Sequence, residues 1–304
     1  MLSFRSATSV AFCLIFLAGL TVPAQAAEPY LDFVQGLRER GYYDVALRYL
    51  DGIEQDAQLP QEIRDRVPYE RGVILLEGAR RLTNLDEQRK QLDRAQASFE
   101  RFVTEAPQHP LAGQANTERG RILMEKARVE IWDADDPANE GNRDAFRKRA
   151  RDYVQKARQI FQAAHDQHKA TWEKFPVYIP EDEKQLRADR AQAEALYMQA
   201  QLDLAQCGYW EAQTYDRGSD KWRELLTQAS LSFEEIHTKY RSQIAGLYAR
   251  LWQGKCFEEM GEIRMALGIY NELLEHDPNP PSMRSLQDET RRFRLICLNH
   301  EKRK

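Results

Sequence analysis

The residues with chemical potential come first. His165 and His168 stand three apart, a spacing that sets two imidazoles on one face of a helix, where they would share a metal. No His-Glu-x-x-His motif accompanies them, and Asp166 is the only close carboxylate. The pair therefore reads as solvated surface. The acidic stretch 133–142 (DADDPANEGN) resembles a calcium loop in composition only. Pro137 falls where the fifth ligand belongs and Ala138 where the turn needs glycine. It reads as a solvated loop, with Asn142 capping the following helix. The doublets Glu234–Glu235 and Glu258–Glu259 diverge by about 100° on a helix, so they read as surface rather than as an acid/base pair. No serine sits in a G-x-S-x-G turn, and no glycine-rich loop would cradle a phosphate. No catalytic, cofactor or metal residue is expected, and the chain reads as a non-enzyme.

Composition sets the frame. The first 26 residues carry one charge, Arg5, then the apolar run Val10 to Leu20, then Ala24-Gln25-Ala26. The run is shorter than the ~20 residues that span a bilayer, so the segment reads as a secretory signal peptide cut after Ala26. Cys13 lies inside the apolar run after bulky Phe12, which does not suit a lipoprotein site. No other apolar run is long enough to cross a membrane, so the mature chain is expected to be exported to the periplasm or cell envelope, or secreted. Without the leader, 43 basic and 48 acidic side chains remain, a net of −5, which argues against general nucleic-acid binding. Only 15 Gly and 12 Pro punctuate the whole chain, which favours long helices over strands. The mature cysteines Cys207, Cys256 and Cys297 are too few and too odd for a disulfide framework, and they read as buried thiols.

The elements that must position any site are helical hairpins. Residues 247–278 (LYARLWQGKCFEEMGEIRMALGIYNELLEHDP) read as two helices around a turn at Met260-Gly261-Glu262. Leu251, Trp252 and Phe257 are expected to be buried on the first helix, and Ala266, Tyr270 and Leu273 on the second. Gly254 admits the neighbouring helix, and Pro278 ends the pair. A hairpin like this leaves an apolar side that only a similar neighbour covers. The chain repeats the design. Residues 30–60 form a first hairpin about Gly41-Tyr42-Tyr43, with Ala46, Leu50 and Ile53 inward. Segments 69–80 (YERGVILLEGAR) and 117–128 (TERGRILMEKAR) share eight of twelve residues at an offset of 48, with Gly72 and Gly120 at the close-contact position. The second helix after Gly72 carries Ala95, Phe99 and Phe102; that after Gly120 carries Ala157 and Phe161 and runs from Arg143 to about Phe175. A helix from Glu181 is expected to end at Gly208, with Ala200 in the place of Gly254, followed by an aromatic loop 209–219 and a helix burying Ala229, Phe233 and Ile236. The resulting units are 27–62, 63–110, 111–178, 179–242 and 243–280, followed by a terminal helix 282–303. That helix either caps the array or opens a further unit past Lys304.

The order Gly, Phe, Gly, Ala, Tyr, Pro in residues 247–278 resembles one unit of the tetratricopeptide repeat family, although Arg250 stands where that family places a first-helix Trp. The resemblance implies an all-α, right-handed superhelix of about five hairpins plus the terminal helix. It also implies that first helices line a concave groove holding a peptide or partner helix. On that implication the groove residues lie three before and one after each small position: Tyr69 and Val73, Thr117 and Arg121, Tyr197 and Gln201, Leu251 and Lys255. Two tyrosines with Arg121 and Lys255 suit an extended protein segment bearing an acidic group. The expected function is an exported, non-catalytic scaffold for a protein partner. The alternative is an envelope-polymer binder or the helical arm of a larger wall-processing enzyme. Trp210 with Tyr209 and Tyr215 is the aromatic cluster that bears on that alternative. The oligomeric state is not legible.

Overall fold

The computed structural model describes residues 30–301. The leader read at 1–26 and the last residues of the 282–303 helix lie outside the described residues. Eleven α-helices follow one another: α1 (Tyr30–Glu39), α2 (Tyr43–Glu54), α3 (Gln61–Ala79), α4 (Leu85–Glu105), α5 (Ala112–Asp135), α6 (Arg143–Trp172), α7 (Lys184–Ala212), α8 (Asp220–Lys239), α9 (Ile244–Glu259), α10 (Ile263–Leu274) and α11 (Pro281–Glu301). A 3-10 turn, Pro137–Asn142, joins α5 to α6. Among the described residues there is no strand, and the chain is an all-α helical-repeat superhelix.

One local rule builds the hairpins. A glycine on the first helix admits an aromatic ring from the second. A Cβ on Gly72 would lie 2.8 Å from the Phe99 ring, one on Gly120 2.7 Å from Phe161, and one on Gly254 2.8 Å from Tyr270. Four residues before each ring is an alanine, Ala95, Ala157 or Ala266, and these alanines are fully buried. The i, i+4 spacing stacks alanine and ring on one face, so the helices close to contact over the small residue and the ring fills the gap beside it. Ala229 and Phe233 repeat the pattern on α8. Segments 69–80 and 117–128 thus occupy matching places, on α3 against α4 and on α5 against α6.

Several boundaries differ from the sequence reading. Gly208 does not end its helix; α7 continues to Ala212, and Tyr209 and Trp210 lie on it rather than in a loop. The reason is packing: a Cβ at Gly208 would touch Ala229 of α8 at 3.4 Å, so the missing side chain serves helix approach. The turn glycine is Gly218, at φ +87°, as Gly41 and Gly261 are elsewhere at +75° and +81°. Asn142 makes no cap with its side chain; Asp136 instead accepts from the Ala138 amide and starts the 3-10 turn. Helix α6 ends at Trp172 rather than Phe175, and α8 at Lys239 rather than Ser242.

The curvature follows from which helices touch. Each odd helix packs on the next odd helix, from α1 on α3 through α9 on α11. Among the described residues the even helices do not pack backbone to backbone and meet only through single side chains, as Arg101 of α4 does with Glu54 of α2 at 2.8 Å. The odd helices are therefore crowded into an inner layer and the even helices fan out on the outer side. Helix α11 closes the last hairpin, laying Leu286, Phe293 and Cys297 on Leu251, Tyr270 and Leu273.

Candidate partner-binding groove

The inner layer carries a chain of cross-helix charge contacts. Arg38 of α1 reaches Glu70 and Glu77 of α3 at 3.3 and 2.8 Å. Arg80, at the C-terminal end of α3, meets Glu125 of α5 at 2.8 Å. Arg121 of α5 meets Asp203 of α7 at 3.2 Å and its own neighbour Glu118 at 2.5 Å. The Tyr209 hydroxyl of α7 donates to Glu259 of α9 at 3.3 Å. Lys255 lies 2.6 Å from Glu258 and 2.9 Å from Glu259. Glu70, Glu118, Glu125, Asp203 and Glu258 are all buried. A buried carboxylate persists only when paired, so each arginine holds the next repeat in register. Burial pushes the Asp203 carboxyl above its ordinary range, and Arg121 and Gln199 pull it back.

This places the sequence-derived groove residues. Tyr69, Val73 and Arg121 line one cavity of about 520 Å³ that begins at α1. Arg121 and Lys255 line a second, of about 480 Å³, and Thr117 and Arg121 a third, of about 610 Å³. Arg121 is common to all three. Two assignments are corrected. Leu251 is fully buried in the α9–α10–α11 core and faces no groove. Tyr197 is buried, stacked on Trp172 at 5.6 Å. Gln201 is engaged with Tyr240, donating to its hydroxyl at 3.3 Å. Of the residues three before the small position, Tyr197 and Leu251 turn into the packing, whereas Tyr69 and Thr117 line cavities. Arg121 and Lys255 sit at the groove, but each is already paired. Glu258 is also corrected: it is buried, and accepts from the Tyr270 hydroxyl at 2.9 Å.

The central cavity is lined by α3, α5, α7, α9 and α11, with Phe161 reaching in from α6. Its cations are Arg80, Arg121, Arg128, Lys255 and Arg292, and its carboxylates Glu125, Asp203 and Glu289. Trp210, Trp252 and Phe293 form an aromatic floor. The Arg128 guanidinium stands 5.1 Å from both the Trp132 and Trp210 rings. Its Nε is buried and has no hydrogen-bond partner. The sequence reading missed Arg80, Arg128, Trp252 and Arg292 as cavity residues; the shared Ala-Arg ending of the two repeat segments is a signal that could have found Arg80 and Arg128.

The residues read as possible chemistry are spread out. His165 Nδ1 lies 2.8 Å from Asp166 and its ring 5.1 Å from Tyr197. Among the described residues no cluster of three His, Cys, Asp or Glu would hold a metal. Cys207 and Cys256 are free and buried, and Cys297 is buried. Burial pushes the Cys207 thiol up to about 12 and Cys256 higher still, so both stay protonated and unreactive. No described helix is long and apolar enough to cross a membrane.

A curved stack of helical hairpins with a lined inner face defines a helical-repeat interaction protein. The tetratricopeptide repeat family matches residues 248–280, the α9–α10 hairpin, so the chain carries a tetratricopeptide repeat there. The same repeat within this fold makes it a scaffold for protein interaction in general. No curated protein matches the sequence.

Proposed function

We propose that the chain is an exported, non-catalytic scaffold that holds an extended acidic segment of a partner protein along its inner face. The observation that carries this reading is the central cavity, where first helices of successive hairpins contribute five cations, three carboxylates and an aromatic floor. The excess of cations favours an anionic segment. Three cavities sharing Arg121 favour an extended occupant over a compact one. The export component rests on the leader-like residues 1–26. Envelope-polymer binding is the second reading, favoured by Trp210 and Trp252 in a polar cavity.

A photo-crosslinking residue at Gln206, inside the cavity, is compared with one at exposed Gln228 on α8. In an envelope extract, a discrete protein adduct is expected from position 206 and not from 228. A glycan adduct at 206 would favour the second reading. Adducts from 228 alone would place the interaction on the outer face and sink both.

A further inference from the structure

Where the end of α6, the middle of α7 and the end of α8 meet, one ammonium is surrounded by rings. Lys239 Nζ lies 5.4 Å from the Trp172 ring centroid, 5.3 Å from Tyr197 and 5.0 Å from Tyr240. All three distances are within the range of cation–π attraction. The walls are also held by contacts other than those to the lysine. Tyr197 and Tyr240 are buried, Trp172 stacks on Tyr197 with 22° between planes, His165 packs on Tyr197, and Gln201 holds the Tyr240 hydroxyl. Lys239 itself is exposed.

The occupant is held unlike the ring-bound cations of the inner groove. Arg128, Lys255 and Arg292 each have a carboxylate at 2.8, 2.6 and 3.4 Å. Among the described residues no ion pair fixes Lys239; beside the rings it has a hydrogen bond with Tyr240 and the more distant charge of Glu194. A lysine ammonium is compact and strongly hydrated, so it enters a ring cluster reluctantly. A trimethylammonium group carries the same charge with a thinner hydration shell and fills such a space better.

We propose that Trp172, Tyr197 and Tyr240 form a binding site for a small quaternary ammonium compound, which enters by displacing the Lys239 side chain. The site is separate from the inner groove and independent of its reading. The chemistry is that of one organic cation among three aromatic rings, with Lys239 as the built-in competitor.

The test is isothermal titration of the full chain with tetramethylammonium and with choline, at matched ionic strength. Saturable binding is expected, tightening about tenfold in Lys239→Ala if the lysine occupies the site in roughly nine molecules of ten. The added change Trp172→Leu abolishes it, with circular dichroism confirming that the double variant is folded. Lys239→Met, which refills the space without charge, keeps binding weak and serves should the tryptophan variant not fold. The neutral isostere 3,3-dimethylbutanol does not bind. The proposal is overturned by absence of binding to Lys239→Ala, by equal binding with and without Trp172, or by equal binding of the neutral isostere.

Discussion

A single methyl group probes the packing rule. At Gly120 an added Cβ meets the Phe161 ring, which is itself fully enclosed and has no room to yield. Overpacking of this kind costs about 1–3 kcal/mol, which outweighs the ~1 kcal/mol that alanine gains over glycine in a helix. Gly268 on α10 is exposed, with nothing near its missing Cβ. Gly268→Ala is therefore expected to stabilise by about 0.5–1 kcal/mol while Gly120→Ala destabilises, as read by urea unfolding. A gain at both would show that the glycine–ring contact sets nothing. This scale was the most legible. Gly72 and Gly120, and the alanine four before Phe99, Phe161 or Tyr270, are local patterns set by helical geometry. Gly208 was misread because a glycine before an aromatic, polar run resembles a helix end, while its real partner, Ala229, lies across the hairpin.

Between elements the inner-layer arginines act as cross-links. Arg121 joins α5 to α7 and neutralises two buried carboxylates, Glu118 and Asp203. Removing it strands both, so Arg121→Ala is expected to cost about 3–5 kcal/mol, and a second change Asp203→Asn to return some of it. Chemical denaturation of the single and double variants measures this; a loss below about 1 kcal/mol would mean the pair is solvated and weak. The same consideration explains why a groove variant built on Arg121 confounds binding with stability, and why Gln206 is the better probe. None of these pairs was legible. Arg80 and Glu125 are 45 residues apart, and Arg121 and Asp203 are 82 apart. Their meeting depends on how one repeat is rotated against the next. Trp252, expected to be buried, instead reaches the cavity.

Over the whole molecule, each hairpin relies on the next for cover. Helix α11 supplies that cover at one end through Leu286, Phe293 and Cys297. Deleting residues 281–304 is expected to unfold the α9–α10 hairpin as well, because Tyr270 and Leu273 lose their neighbours. Circular dichroism would then record a helix loss larger than the 21 residues of α11. A loss equal to α11 alone, with an unchanged melting temperature, would show that the last hairpin stands unaided. The repeat count and the all-α class were legible because every unit must hide the same apolar stripe.

The odd helices are tied to one another along the whole series and the even helices only by single side chains, and this has a mechanical corollary. Pulled from its two ends, such a coil stretches first by opening gaps along its inner rim, where charged contacts separate in succession while the hairpins stay whole. Extension would be graded and reversible rather than a single rupture, and anything seated along that rim would stiffen the spring.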